Sequence, residues 1–294
     1  MKLSIHRLQE KHQYCGQMYI FKGSEEIFHT QNNDFLKLIN IRSMTKSIIS
    51  LLIGIALKEK YLDSLETPIR YYLPTAPQSI SIADLLSMRS RFDIDDKDLY
   101  HLIHTSKNWV ADILALPIKK TDDFRYKGVD YHLLSAVISI ATNKTAKEFA
   151  NQYLFTPLGI EVVEWQGDPQ GITIGSTGLN LSLHSLIKIA QLLVNDGKIN
   201  HTEVFPKDWL IESTATGILT NLDYGTYGYG WWLKTYRGDT IYRALGAGGQ
   251  QMLIAPKHKI GIITLSNSNI LSHIEGDSMI TEILNVITGE RLTK

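Results

Sequence analysis

The chain has 294 residues, 44% hydrophobic and 20% charged, with 30 Lys and Arg balanced by 30 Asp and Glu. Zero net charge, with basic residues scattered and no basic arm, gives no electrostatic case for nucleic acid or an anionic membrane as partner. One cysteine, Cys15, excludes an internal disulfide and a thiolate zinc site.

The first residues, Met1 to Lys11, lack the apolar core of a secretory signal, and no segment reaches the roughly 18 apolar residues of a membrane span. As it stands the protein is expected to be soluble and cytoplasmic, or exported if a leader has been removed. Gln17 to Phe21 and Glu26 to His29, joined by Lys22-Gly23-Ser24-Glu25, predict a β-hairpin. Cys15, beside that strand, reads as a buried structural thiol.

The next stretch carries the chemistry. Asn40-Ile41-Arg42-Ser43-Met44-Thr45-Lys46-Ser47 opens a long apolar run, Ile48 to Leu57, which predicts a buried helix reaching about Lys60. Residues i and i+3 share a helix face, so Lys46 is placed one turn from Ser43 with its amine near the hydroxyl. A serine hydroxyl needs a neighbour to take its proton before it becomes a nucleophile, and a lysine among apolar residues can serve. The same S-x-x-K spacing recurs at Ser185 and Lys188, inside the helical pattern Leu183 to Leu193; these are read as ordinary helix-surface residues.

Ile69 to Leu73, Ile82 to Met88, Asn108 to Leu116, Tyr131 to Thr142 and Ala146 to Leu154 predict helices through the middle of the chain. Between them Asp93, Asp95, Asp96 and Asp98 lack the glycine and terminal glutamate of a calcium loop and are read as a solvated loop, one that with Phe92 and Tyr100 could border a cleft. His101 and His104 have no accompanying carboxylate motif, so no metal site is assigned. Tyr126 stands in a turn just before a helix, where a phenol beside an ammonium can act as a general base. Asp130 and His132, one turn on, are read as supporting or surface residues.

The last third changes character. Tyr227 to Leu233, Thr240 to Arg243, Gln251 to Ala255 and Ile260 to Leu265 predict consecutive antiparallel strands, and Ser272 to Thr288 a closing helix. Trp231 and Trp232 must point to opposite faces of their strand, one to the core and one towards a cleft. Gly246-Ala247-Gly248-Gly249 is a glycine-rich strand end whose bare backbone can approach a ligand, and it lacks the pattern of a dinucleotide site.

Ser43 with Lys46, Tyr126, and Ala247-Gly248-Gly249, in that order, resemble the three motifs of the serine β-lactamase and penicillin-binding protein superfamily, closest to its class C-like branch. Tyr153 to Ile160, Thr177 to Ser182 and Tyr227 to Trp232 are also similar to family segments. The resemblance implies an α/β (α+β) fold: a central antiparallel sheet flanked by helices plus a mostly helical inserted domain. Residues 1–65 and 215–294 would form the sheet domain and 66–214 the insertion, with the active site between them. It also implies Ser43 as the acylated nucleophile, Lys46 as its proton partner and Tyr126 as the group that activates alcohol or water. Ala247, Gly248 and Gly249 would line the substrate, with the N–H groups of Ser43 and Gly249 as oxyanion hole, and no metal or cofactor is required.

Two positions depart from the family pattern. Gly128 stands where an Asn is usual, and Ala247 where a Lys or His is usual. Arg243 and Lys127 are the candidates to replace the lost charge, and Arg91, where many relatives have Gly, is expected to alter only a loop. The expected function is therefore a serine hydrolase acting on a small-molecule ester, amide or peptide, with β-lactamase activity weak or absent. The alternative is a non-catalytic or penicillin-sensing binding protein on the same scaffold.

Overall fold

The computed structural model describes residues 1–12, 16–30, 36–161, 163–199, 202–215, 217–266 and 273–289. Cys15 lies outside the described residues. After α1 (Lys2–Lys11) come β1 (Gln17–Lys22) and β2 (Glu25–His29), paired antiparallel as a hairpin. The short β3 (Ile39–Asn40) leads through a 3-10 turn, Arg42–Met44, into α2 (Thr45–Lys58). The helices α3 (Ile82–Leu86), α4 (Asp96–Thr105), α5 (Trp109–Leu114), α6 (Gly128–Thr142) and α7 (Ala146–Ala150) follow. Local chemistry sets several of their ends: Ser81 with Asp84, and Thr145 with Glu148, form capping boxes, and Asn143 closes α6 in a left-handed conformation.

Next come β4 (Glu164–Trp165), β5 (Leu179–Leu181), α8 (Leu183–Val194), the pair β6 (Lys198–Ile199) and β7 (Thr202–Glu203), and α9 (Lys207–Ala215). The chain finishes with β8 (Thr226–Tyr227), β9 (Trp232–Tyr236), β10 (Asp239–Gly246), β11 (Gln250–Ala255), β12 (Ile260–Leu265) and α10 (His273–Ile287). A seven-stranded antiparallel sheet runs in the order β2-β1-β12-β11-β10-β9-β8, so strands from both ends of the chain meet where Gln17 to Lys22 pair with Leu265 to Ile260. A small sheet, β3-β5-β4, ties the segment before α2 to the segment before α8.

Strand alternation explains how this sheet is covered on both faces. Ile260 and Ile262 of β12, with Leu253 and Ala255 of β11, join α1 and α10 in one apolar cluster. Ile263 and Leu265, with Met252 and Ile254, belong to the larger cluster that contains α2, α6 and α8. Helix α8 packs on β12, β11 and β1, and α2 packs on α6 and α7. Residues Thr45 to Ala56 of α2 are all buried, as expected of a helix surrounded by protein. Two serines on it anchor to the loop before β9: Ser47 Oγ donates to the Gly230 carbonyl at 2.6 Å and Ser50 Oγ to the Tyr229 carbonyl at 2.5 Å. Among the described residues, no helix is long and apolar enough to cross a membrane.

Four local expectations are corrected. Tyr227 to Leu233 is not one strand, because residues 228–231 leave the sheet to offer those carbonyls to α2. The acidic segment is not all loop: Asp96 begins α4, and Asp93 is tied to Lys119 and Arg125 at 3.1 and 3.0 Å. Ser185 is not a surface residue but is buried in the cap of α8, 3.0 Å from Ser182 Oγ, while Lys188 donates to the Gly159 carbonyl, so that pair is not joined. Ile69 to Leu73 shortens to a 3-10 turn, Ile69–Tyr71.

Ile53 is fully buried at the centre of α2. Truncating it removes packing that the surrounding helices cannot recover, so Ile53→Ala is expected to lower the unfolding free energy by about 3 kcal/mol, read from urea denaturation midpoints.

Candidate active site

The site begins where β3 ends. Asn40 Oδ1 accepts from the Arg42 amide at 2.8 Å, the Ile41 amide donates to the Leu179 carbonyl at 2.9 Å, and Arg42 adopts a left-handed φ of 54°. A non-glycine residue held there is uncommon and marks a turn fixed from outside. Ser43 follows it, half-buried at the mouth of α2.

Lys46 lies one turn further on and is only 4% exposed. Its Nζ is 3.0 Å from Ser43 Oγ and 3.0 Å from the Ser176 carbonyl, and it stands over the Tyr126 ring, 4.9 Å from the centroid. No carboxylate pairs with this amine among the described residues; its polar partners are neutral oxygens. The structure therefore brings Ser43, Lys46 and Tyr126 together. It is the ring of Tyr126 that meets the lysine, and no hydrogen bond joins the Tyr126 hydroxyl to Ser43 or Lys46.

Tyr126 is 39% exposed and lies on an aromatic shelf. It stacks on Trp232 at 5.6 Å and 29° and meets the edge of Tyr227 at 6.3 Å, with Phe124 packed against both of those rings. Trp232 thus faces the site, while Trp231, just outside the strand, is fully buried against Tyr242.

The glycine-rich strand end reaches the site through Gly246. A Cβ on that residue would fall 2.4 Å from the Ile41 carbonyl oxygen and 3.1 Å from Arg42 Cβ, so only glycine lets β10 lie against the Ser43 turn. The turn that follows, Ala247 exposed with Gly248 and Gly249 half-exposed at φ of 85° and 84°, opens beside it. Gln250 pins that turn, exchanging hydrogen bonds with the backbone of Ser266, while Thr264 Oγ1 donates to the Gly249 carbonyl at 2.8 Å. Ser176 belongs to none of the sequence motifs and only its distant partner Lys46 gives it a role, while only the Ile41 and Arg42 contacts show which glycine of the strand end touches the site.

Neither candidate for the missing charge reaches the site. Arg243 is fully buried on β10, donates to the Tyr224 carbonyl, and has its guanidinium held down to about 10 by burial. Lys127 turns inward to Asp130, 3.2 Å away, and to the Met88 carbonyl at 3.3 Å. Asp130 is itself wholly buried and accepts from Ser90 Oγ at 2.5 Å. His132, also buried, meets Asp168 at 3.1 Å, so neither residue is on the surface. Arg91 reaches Ser79, away from these groups.

A family model described as Beta-lactamase matches residues 9–277. The chain belongs to the beta-lactamase family. An uncharacterized protein of Alkalihalophilus pseudofirmus is 23% identical over 288 residues, covering 84% of this chain and 81% of its own. A Bacillus anthracis protein described as a 6-aminohexanoate-dimer hydrolase superposes with a TM-score of 0.81 at 18% identity, over 97% of this chain and 82% of that one. An octameric penicillin-binding protein homologue from Pyrococcus abyssi gives 0.79 at 17% identity, over 98% and 77%. These likenesses establish the fold expected from the motifs, a large antiparallel sheet with helices, as that of the serine β-lactamases and penicillin-binding proteins.

The Lys127–Asp130 pair sits directly behind Tyr126, and breaking a buried pair strands one charge. Lys127→Met is expected to cost about 3 kcal/mol at pH 7, and adding Asp130→Asn to recover most of the loss. Burial raises the Asp130 carboxyl to about 6, against the opposing pull of Lys127 and Ser90. The unfolded chain releases that proton near pH 4, so the native state binds more protons between about 4 and about 6. The stability from this group is full below about pH 4, falls as pH rises to about 6, and is constant above. Urea midpoints of wild type and double variant from pH 4 to 7 should diverge over that window alone.

Proposed function

We propose that this protein is a serine hydrolase that cleaves an ester or amide through an acyl-enzyme on Ser43, in the cleft between the sheet-bearing lobe and the helical insertion. The observation that carries the proposal is the 3.0 Å contact between Lys46 Nζ and Ser43 Oγ at the mouth of a buried helix. With the amine neutral, the same contact runs from hydroxyl to nitrogen, and Ser43 Oγ attacks the carbonyl carbon as its proton passes to Lys46.

The backbone N–H groups of Ser43 and Gly249 are the donors assigned to the oxyanion, with Ala247 and Gly248 along the substrate. As the tetrahedral intermediate collapses, the bond to the leaving group breaks. The leaving group takes the Tyr126 proton, which the Lys46 ammonium replaces. In the second half a water adds to the acyl carbonyl, losing a proton to the Lys46 and Tyr126 pair, and Ser43 leaves with that proton. The likeness to a protein described as a 6-aminohexanoate-dimer hydrolase supports an amide or ester as substrate. The absence of an Asn at position 128 and of a cation at 247 argues against efficient β-lactam turnover.

One observation favours a second reading. The Tyr126 hydroxyl is not joined to Ser43 or Lys46, and a site that acylates without a placed base for water keeps its acyl group. That is the behaviour of a penicillin-sensing or binding protein on the same scaffold.

Intact-protein mass after exposure to a fluorophosphonate, and separately to a penicillin, tests both. Wild type is expected to gain one fluorophosphonate adduct and Ser43→Ala none, at nearly unchanged thermal midpoint; an adduct on Ser43→Ala would refute the assignment. Lys46→Met should lower kcat/KM on an activated ester by about 100-fold or more, the usual scale of a general base. Nitrocefin is expected to be turned over slowly or not at all, whereas a stable penicillin adduct without turnover would select the sensing role.

A further inference from the structure

We propose that this protein carries a second binding site, remote from Ser43, that takes a phosphate monoester between α8 and the far end of the large sheet; the proposal does not rest on the hydrolase reading. The turn after β10, which borders Ser43, lies at one end of that sheet. The β1–β2 turn at Gly23 and the β11–β12 turn, Pro256 to Lys259, lie at the other end. There the Gly23 amide donates to the Lys259 carbonyl at 2.7 Å. Between these turns and α8 is a cavity of about 630 Å³. Lys188, Lys198, Lys259, Gln191 and Asn195 give it polar walls, and Leu158, Leu192 and Ile199 give it apolar ones. No carboxylate lines it among the described residues.

These three lysines differ from others on the molecule. Lys11, Lys58, Lys119, Lys127, Lys207 and Lys257 each meet a carboxylate. Lys188, Lys198 and Lys259 meet none among the described residues. Lys188 Nζ donates to the Gly159 carbonyl and Lys259 Nζ to the Val194 carbonyl, both at 2.7 Å. An ammonium has three donors, so each keeps two. Val194 ends α8, where free carbonyls repel an anion, and Lys259 covers one of them. Glu203, opposite Lys198 in the β6–β7 pair, has its carboxylate 3.9 Å from Lys58.

Three like charges around one cavity favour an anion that carries more than one charge. Lysines are compact point charges that suit a tetrahedral phosphate. A planar carboxylate is best matched by the arginine fork, and no arginine lines the cavity among the described residues. The apolar walls select an organic ester over inorganic phosphate. Helix α8 extends the site. His184, Ile187, Lys188, Gln191 and Asn195 recur at i, i+3, i+4, i+7 and i+11, which is one helix face. A second cavity of about 520 Å³, walled by Tyr19 and His29, shares Lys188 and Gln191 with the first, so the organic part has room to run along that face. Glu26 also lines the second cavity, and His29 holds it at 2.8 Å.

The test is calorimetric titration at low salt and two temperatures with phenyl phosphate, inorganic phosphate and benzoate. The proteins are wild type, Lys188→Gln, Lys198→Gln, Lys259→Gln and, as a control of equal charge change on α1, Lys11→Gln. Glutamine keeps a donor for the carbonyls that Lys188 and Lys259 serve, and Lys198 is exposed on a two-residue strand, so the variants are expected to keep the wild-type thermal midpoint. Phenyl phosphate is expected to bind wild type and Lys11→Gln alike, with Kd below about 1 mM. Each cavity variant should bind it about 10-fold more weakly, the worth of one charge-assisted hydrogen bond. Inorganic phosphate, lacking an apolar part, and benzoate, lacking a second charge, should each bind wild type about 5-fold more weakly or worse. No binding of phenyl phosphate to wild type overturns the proposal, as does unchanged affinity in Lys198→Gln and Lys188→Gln, or benzoate bound as tightly. Flotation with phosphatidylcholine vesicles, with and without phosphatidic acid, separates the sources of the ester. Co-flotation that needs phosphatidic acid and is lost in Lys198→Gln supports a lipid headgroup, and failure to float supports a soluble ester.

Discussion

The site depends on one buried amine. Lys46 lies on a helix buried nearly along its whole length, where an amine without polar partners would be costly, and it finds two oxygens and an aromatic face. Those partners come from three separate parts of the chain, so the lysine's position is over-determined. Helix α2 cannot rotate or slide without breaking the Ser47 and Ser50 bonds to the loop before β9. The Ser43 turn cannot lift away while β10 lies against it through Gly246. A serine and a lysine held by rigid elements in this way need little reorganisation to act as the proposed nucleophile and proton partner.

Behind Tyr126 a second buried polar group sets the geometry. Lys127, Asp130 and Ser90 form a charged cluster inside the helical layer, and Lys127 also holds the Met88 carbonyl. Removing two charges from water is expensive, and the pair's value lies in specifying one arrangement of the turn before α6 rather than in net stability. In front of that turn, Trp232, Tyr227 and Phe124 hold the tyrosine ring. Lys127 is thus committed to the interior, and the aromatic shelf beside Lys46 is uncharged.

Much of the fold was legible because its signals are local. The glycine turn of the β1–β2 hairpin, the apolar run of α2, the helix before Asn143 and the strands β10 to β12 each follow from periodicity and turn chemistry. Where expectation failed, a polar contact had overruled the hydrophobic pattern. Residues 228–231 have the composition of a strand and yet bend away to meet two serines on α2. Ser185, in a helix that reads as amphipathic, is drawn into the cap with Ser182. Of the two readings open for Asp130 and His132, supporting or surface, Lys127 and Asp168 beside them in the core leave only the first.

The sequence by itself determined that Ser43 and Lys46 share a helix face, that Tyr126 stands just before a helix, and that a bare strand end follows late in the chain. The first is a consequence of helical pitch, which three intervening bonds are enough to enforce. Tertiary structure alone decided that the lysine's second oxygen belongs to Ser176, that Gly246 is where the strand touches the Ser43 turn, and that Lys127 and Arg243 point inward. These depend on which surfaces meet when the sheet closes and the helices pack against it, and no window of adjacent residues contains that information.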